Sequence, residues 1–90
     1  MDFDHLKKKL LYQSTHRGCK ELDIILGSFA EKFLMDLESK SVKQYEELLE
    51  APDNDIYNWV IEKNIPPKRY DTKLLNSIIS FNKKKYDQSL

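Results

Sequence analysis

Apolar residues recur along this chain with helical rather than strand periodicity. Phe3, Leu6 and Leu10 stand at i, i+3 and i+7, and Leu11 widens the stripe, so residues 3–13 predict a first amphipathic helix. Lys7, Lys8 and Lys9 are expected on its wet side. Ser14 or Thr15 is placed to cap a second helix over residues 17–36, with a stripe of Leu22, Ile25, Phe29, Phe33 and Leu37. Ile24, Leu26, Ala30 and Leu34 lie off that stripe, which predicts a central helix, apolar on more than one side.

A third helix is predicted over 42–50. It opens on Ser41-x-x-Gln44, a capping-box pattern, and carries Val42, Tyr45, Leu48 and Leu49. Pro52 ends it, because proline cannot continue the hydrogen-bond ladder. Asp53 or Asp55 is read as the cap of a fourth helix over 55–63, with Ile56, Trp59 and Val60 inward. Pro66-Pro67 forces an extended turn, and Asp71 or Thr72 starts a fifth helix reaching about Lys84 through Leu74, Leu75, Ile78, Ile79 and Phe81. No period-2 run of β-branched residues interrupts the series. The fold expected over residues 1–90 is all-α: a small single-domain bundle of about five short helices.

Composition narrows the function classes. At 90 residues, the chain buries about 60–65% of its unfolded surface and leaves little room for a deep catalytic cavity, so it is not expected to be an enzyme. One cysteine, Cys19, excludes a disulfide framework or a cysteine-built zinc site, and two histidines are too few for a typical metal centre. Net charge is zero but unevenly spread: +3 over residues 1–20, −8 over 21–62 and +5 over 63–90. An acidic middle between basic ends suits internal complementarity or a basic partner, and not a nucleic acid. The N-terminal residues carry Asp2 and Asp4 and no apolar run, and no stretch is long enough to span a membrane. A soluble, cytoplasmic protein without membrane insertion, monomeric when unbound, is expected.

Few residues offer chemistry. His16 and Cys19 form a conceivable Cys/His couple, but an ordinary thiol in a helix's first turn is the plainer account. Glu50, Asp53 and Asp55 resemble a metal cluster only loosely, and capping explains the two aspartates without an ion. No glycine-rich phosphate loop is present, so tight independent dinucleotide binding is not expected, and no catalytic or metal-ligating residue is assigned.

The segment His16-Arg17-Gly18-Cys19-Lys20-Glu21 stands out because local propensity does not favour it. Glycine in a helix's first turn costs up to about 1 kcal/mol against alanine, and cations sit badly at the positive helix end. With Arg17 and Glu21 at i and i+4 on one face, Gly18 leaves a notch where another backbone or a flat ligand approaches closely. Arginine is rare here, two against thirteen lysines, which hints at planar bidentate geometry. A plainer account is a surface ion pair worth a few tenths of a kcal/mol, with Gly18 kept for tight helix packing. These residues alone leave both accounts open.

Arg17-Gly18-x-x-Glu21 followed by Leu22-Asp23 resembles the RGxxE signature of the SdhE family, also called succinate dehydrogenase assembly factor 2. The resemblance continues through Phe29, Leu48-Leu49-Glu50, Asp53-x-Asp55 and Asn58-Trp59, and so covers roughly residues 12–62. It implies a five-helix fold and a chaperone-like role. Such a factor binds the flavoprotein subunit of succinate dehydrogenase, and in some bacteria of fumarate reductase, and promotes covalent attachment of FAD to it. The bond joins the flavin 8α-methyl carbon to a histidine of that subunit in a largely autocatalytic step. By position, Arg17, Gly18 and Glu21 carry the partner-binding motif, Asp23 is a secondary candidate, and Trp59 is read as core. A Gly18→Arg substitution is then expected to abolish function with stability almost intact. Two rival readings are an antitoxin-like or other interaction module, and a redox sensor built on Cys19.

Overall fold

The computed structural model describes the backbone of residues 3–88 and the side chains of residues 4–84. Five helices follow one another: α1 (Phe3–Thr15), α2 (Lys20–Phe33), α3 (Ser39–Leu48), α4 (Asp53–Val60) and α5 (Lys73–Gln88), with a 3-10 turn over Leu34–Asp36 after α2. Among the described residues there is no strand, so the all-α expectation of five short helices holds. No described helix is long and apolar enough to cross a membrane. The place of Phe3 on the first stripe lies outside the described side chains.

α2 is the hub. It packs against α1, α4 and α5, while α5 also meets α3 and α4. Its stripe residues Leu22, Ile25 and Phe29 are buried, and so are Leu26, Ala30 and, in the following turn, Leu34 from the second stripe; only Ile24 faces out. Each further helix adds its predicted apolar residues: Leu10 from α1, Val42, Tyr45 and Leu48 from α3, Ile56, Trp59 and Val60 from α4, and Leu74, Leu75 and Ile78 from α5. One core therefore draws on every helix. Gly27 lets α1 and α2 approach closely, because a Cβ there sits 2.9 Å from Thr15 Cγ2.

Of the helix ends that the sequence suggests, the end of α1 and the starts of α2, α3 and α4 are altered in the fold, whereas the start of α5 is kept. Ser14 and Thr15 do not cap α2; both belong to the last turn of α1, and the N-cap is Cys19, in extended conformation. α2 starts at Lys20 rather than at residue 17 because Gly18 has φ +91°, which no helical turn accommodates. α3 begins at Ser39, and no capping box forms. Gln44 reaches across to α5 instead, its Oε1 accepting from the Leu74 N–H at 3.3 Å. Pro52 occupies the N-cap position of α4, so Asp53 lies within the first turn. At α5 the expected cap is present: Thr72 Oγ1 accepts from the Leu75 N–H at 3.1 Å.

Lys7 overturns the reading of α1's wet side. It is buried, 7% exposed, and its Nζ donates to the Met35 carbonyl at 2.6 Å. Its aliphatic stem runs along the core while the ammonium satisfies a carbonyl of the 3-10 turn, a division of labour that a helical wheel does not reveal.

α4 ends in a Schellman arrangement. Lys63 N–H donates to Asn58 O at 2.8 Å and Glu62 N–H to Trp59 O at 3.2 Å, with Glu62 at φ +62° where glycine is usual. Its exposed ion pair to Lys83 at 2.5 Å offsets little of that strain. Glu62→Gly is expected to raise stability by about 0.5–1 kcal/mol in urea unfolding, and a loss of stability would mean that the ion pair outweighs the backbone cost.

Candidate functional site

The Arg17–Gly18 segment lies in the connection between α1 and α2, fastened at three points. Asp23, in the first turns of α2, turns back so that its Oδ1 accepts from the Arg17 backbone N–H at 2.9 Å. The Arg17 Nε donates to Asp53 Oδ1 at 2.6 Å, and Nη2 donates to the Ala51 carbonyl at 3.0 Å. The guanidinium therefore ties the α1–α2 connection to the α3–α4 connection, 34 and 36 residues away in sequence. Its side chain is 12% exposed and that of Asp53 29%, so the pair is shielded from much of the solvent. Asp53 also stands in the first turn of α4, where the helix dipole favours a carboxylate.

This geometry changes the roles read from sequence. Arg17 precedes α2, so it does not share a helical face with Glu21; it serves two acceptors of the protein itself. Its forked, planar donors are used, but inward. Gly18 is exposed at positive φ, and a Cβ there meets nothing within 4 Å. Glycine is needed for the backbone, while the space beside it is open, so the notch stands without being a helical one. The expectation that Gly18→Arg leaves stability almost intact is corrected accordingly: a side chain at this φ strains the connection by about 1–2 kcal/mol whatever its size. Glu21 lies exposed in the first turn of α2, its carboxylate 3.8 Å from the Cys19 thiol. Asp23 is half-buried and holds the connection.

Beside this connection a cavity of about 410 Å³ opens between the end of α1 and the α3–α4 junction. Tyr12 and His16 form one wall as stacked rings, centroids 4.0 Å apart, and Lys9, Glu46, Glu50 and Asp53 supply charge around it. His16 Nδ1 lies 2.9 Å from both the Tyr12 carbonyl and Thr15 Oγ1, while the Cys19 thiol points to Glu21, so the two do not form a Cys/His couple. Nor do Glu50, Asp53 and Asp55 cluster around a cation site: Asp53 is committed to Arg17 and Glu50 reaches Arg69 at 3.9 Å. Among the described residues no group of three His, Cys, Asp or Glu side chains is arranged to hold a metal ion.

Below the site, the Tyr45 hydroxyl and Ser14 Oγ are hydrogen-bonded to each other, and Ser14 Oγ also reaches the Leu10 carbonyl at 2.7 Å. Burial pushes the Tyr45 pKa from 10.0 up to about 12, against the opposing pull of the Ser14 hydrogen bond and the Arg17 charge. Between these two values the unfolded chain loses the phenolic proton while the folded one keeps it, so stability falls as pH rises through that window. Tyr45→Phe removes both the hydrogen bond and the titration. It is expected to cost about 1 kcal/mol at pH 8, and the gap to the parent should close near roughly pH 11 in urea unfolding. A gap that stays constant to pH 12 would contradict the buried phenol's role.

Sequence reasoning identified Arg17 and Asp53 separately but missed their pairing, for which opposite charge was the only signal. The Ala51 carbonyl and the Tyr12–His16 stack had no signal beyond helical spacing.

Comparison with known proteins bears on what this arrangement belongs to. Residues 8–82 match the family model described as "Sdh5: Flavinator of succinate dehydrogenase". A Dictyostelium discoideum protein named succinate dehydrogenase assembly factor 2, mitochondrial, is 40% identical over 77 residues, which is 86% of this chain and 55% of that protein. Proteins named as the same factor from Cryptococcus neoformans and, as factor 2-A, from Drosophila sechellia are 39% identical over 74 residues and 41% over 71, covering 81% and 77% of this chain. The chain spans about half the length of these curated relatives, 42% and 44% for the latter two. The matched span contains all of α2, α3 and α4 together with the Arg17–Gly18 connection. This chain belongs to the family of succinate dehydrogenase flavinators, whose curated relatives are named as assembly factors of that enzyme.

Proposed function

We propose that this protein binds the flavoprotein subunit of succinate dehydrogenase and promotes covalent attachment of FAD to it, with the flavoprotein of fumarate reductase as a second client. FAD is the group attached to the partner, and this chain supplies no catalytic residue; it acts by favouring the conformation of the subunit in which the flavin and its histidine react. A partner that binds one conformation more tightly than another shifts the equilibrium by that difference and needs no reactive group. The setting is the compartment where the flavoprotein matures, the cytoplasm in a bacterium.

The observation that carries this reading is the exposed Gly18–Glu21 edge, held in place by the internal Arg17–Asp53 and Asp23 contacts. It divides the motif into two tasks. Gly18 and Glu21 face the flavoprotein, whereas Arg17 and Asp23 set the shape of the connection that presents them. A rigid, preshaped edge loses less entropy on docking than a mobile one.

The test is covalent flavin fluorescence of the flavoprotein subunit on a denaturing gel, from cells with and without this protein. The expected result is a band lost on deletion and restored by the native chain. Glu21→Gln separates docking from folding, because its exposed carboxylate has little to hold within the fold. It should restore less than a tenth of the band, while Tm stays within roughly 2 °C of the parent. Gly18→Ala and Gly18→Arg share the same backbone strain, so a deficit specific to arginine reports bulk at the contact. An unchanged band on deletion would overturn the proposed function, and full rescue by Glu21→Gln would overturn the placement of the contact.

A further inference from the structure

We propose that the groove between the last turn of α2 and the outward face of α5 binds an acidic amphipathic helix of a partner protein. This site stands at the end of α2 remote from the Arg17 connection and is independent of it. Phe33, Leu37 and Phe81 form a half-buried apolar floor over the buried Phe29, and the space above measures about 540 Å³. The rings are set edge to face, Phe33 on Phe81 at 5.5 Å and 87° and Phe29 on Phe81 at 5.9 Å and 70°. Such a floor accepts aliphatic or aromatic side chains.

The shape indicates a helix. Lys73, Ser77, Ser80 and Lys84 stand at i, i+4, i+7 and i+11 along α5, a span of about 16 Å, or three helical turns. The two exposed serines in the middle are small enough for another helix to lie close over Phe81. Three turns of partner helix present anchors at i, i+3 or i+4, and i+7, the pattern by which amphipathic helices enter apolar grooves.

The charge specifies the sign of the partner. Lys73 and Lys84 stand at the two ends, and Lys32 Nζ overhangs the floor at 5.6 Å from the Phe33 ring and 5.8 Å from the Phe81 ring; among the described residues lining the groove, Asp36 is the one carboxylate. Carboxylates flanking the apolar anchors therefore meet cations at both ends, while a basic helix is repelled.

The experiment follows backbone amide shifts of the full chain by two-dimensional NMR during titration with three synthetic 16-residue peptides: a Leu/Glu amphipathic helix, its Leu/Lys counterpart and a scrambled Leu/Glu sequence. The Leu/Glu helix is expected to shift Phe33, Leu37, Ser77, Ser80 and Phe81 saturably. The Lys73→Glu/Lys84→Glu double variant should weaken it at least tenfold without a change in fold, since both lysines are exposed. Equal binding of the scrambled peptide would reduce the effect to bulk charge and overturn the proposal. Shifts confined to the Arg17–Glu21 connection would overturn it as well. So would a concentration-dependent dimer moving the same groove amides without peptide, which assigns the groove to a second copy.

Discussion

Arg17→Ala is expected to lower unfolding stability by about 3 kcal/mol and Tm by roughly 12–24 °C. The loss comes from three places. Asp53 retains a partly shielded carboxylate without its cation, the Ala51 carbonyl, in a residue 3% exposed, loses its donor, and the connections before α2 and α4 lose their common tie. The figure sits at the low end of the range for breaking a buried pair because Asp53 is 29% exposed. Arg17→Lys should recover less than half, since one ammonium on a flexible stem does not reach both acceptors with the geometry of Nε and Nη2. Urea unfolding of Arg17→Ala, Asp53→Ala and the double variant forms a cycle, and a coupling of about 1.5–2 kcal/mol is expected. Additive effects would show that the ion pair to Asp53 contributes nothing to the loss. Because the same residue shapes the edge proposed to meet the flavoprotein, its loss of flavinylation combines misfolding with mispositioning, which is why Glu21 is the cleaner functional probe.

Trp59→Ala is expected to cost about 3–5 kcal/mol, the largest single loss in the molecule. Trp59 is buried in the core and its ring stacks on Tyr70, centroids 5.1 Å apart and 27° from parallel. That stack fastens the proline-bearing connection of residues 61–72 to α4, while neighbouring Ile65 is 91% exposed and adds nothing to the core. Removing the indole leaves a cavity between α4 and the connection, and the stack disappears with it. Trp59→Phe keeps a ring and should retain at least half of the stability. With a domain of this size holding about 5–10 kcal/mol in total, a sizeable fraction of Trp59→Ala molecules should be unfolded at 37 °C. Far-ultraviolet circular dichroism at 37 °C and thermal melting report this directly. A Tm within a few degrees of the parent would place Trp59 outside the load of the core.

The identity of the helices and most of the core was legible because it depends on spacing along one segment. Leu22, Ile25, Leu26, Phe29 and Ala30 read as a two-sided stripe and are buried around a hub helix, and Trp59 read as core and is core. Ends of helices were less legible. Ser41-x-x-Gln44 has the letters of a capping box, yet Gln44 serves α5 across the bundle. A side chain chooses among all acceptors and donors within reach, and only those on its own segment are visible in a sequence.

The candidate site shows the same division. The order of residues alone marked Arg17 and Gly18 as unusual, since glycine and cations at a helix start contradict local propensity; Glu21 entered as the i+4 partner of Arg17, and Asp23 through the resemblance to the family motif. Positive φ at Gly18, the turn-back of Asp23 and the inward commitment of Arg17 to Asp53 and Ala51 were decided by tertiary structure. Local spacing reports what neighbours on one helix do to each other through a few ångströms of backbone. The pairing of residues 17 and 53 is chosen by how α1, α2 and α4 pack, because only that packing brings the charge on the α1–α2 connection within 2.6 Å of its counterpart in the first turn of α4.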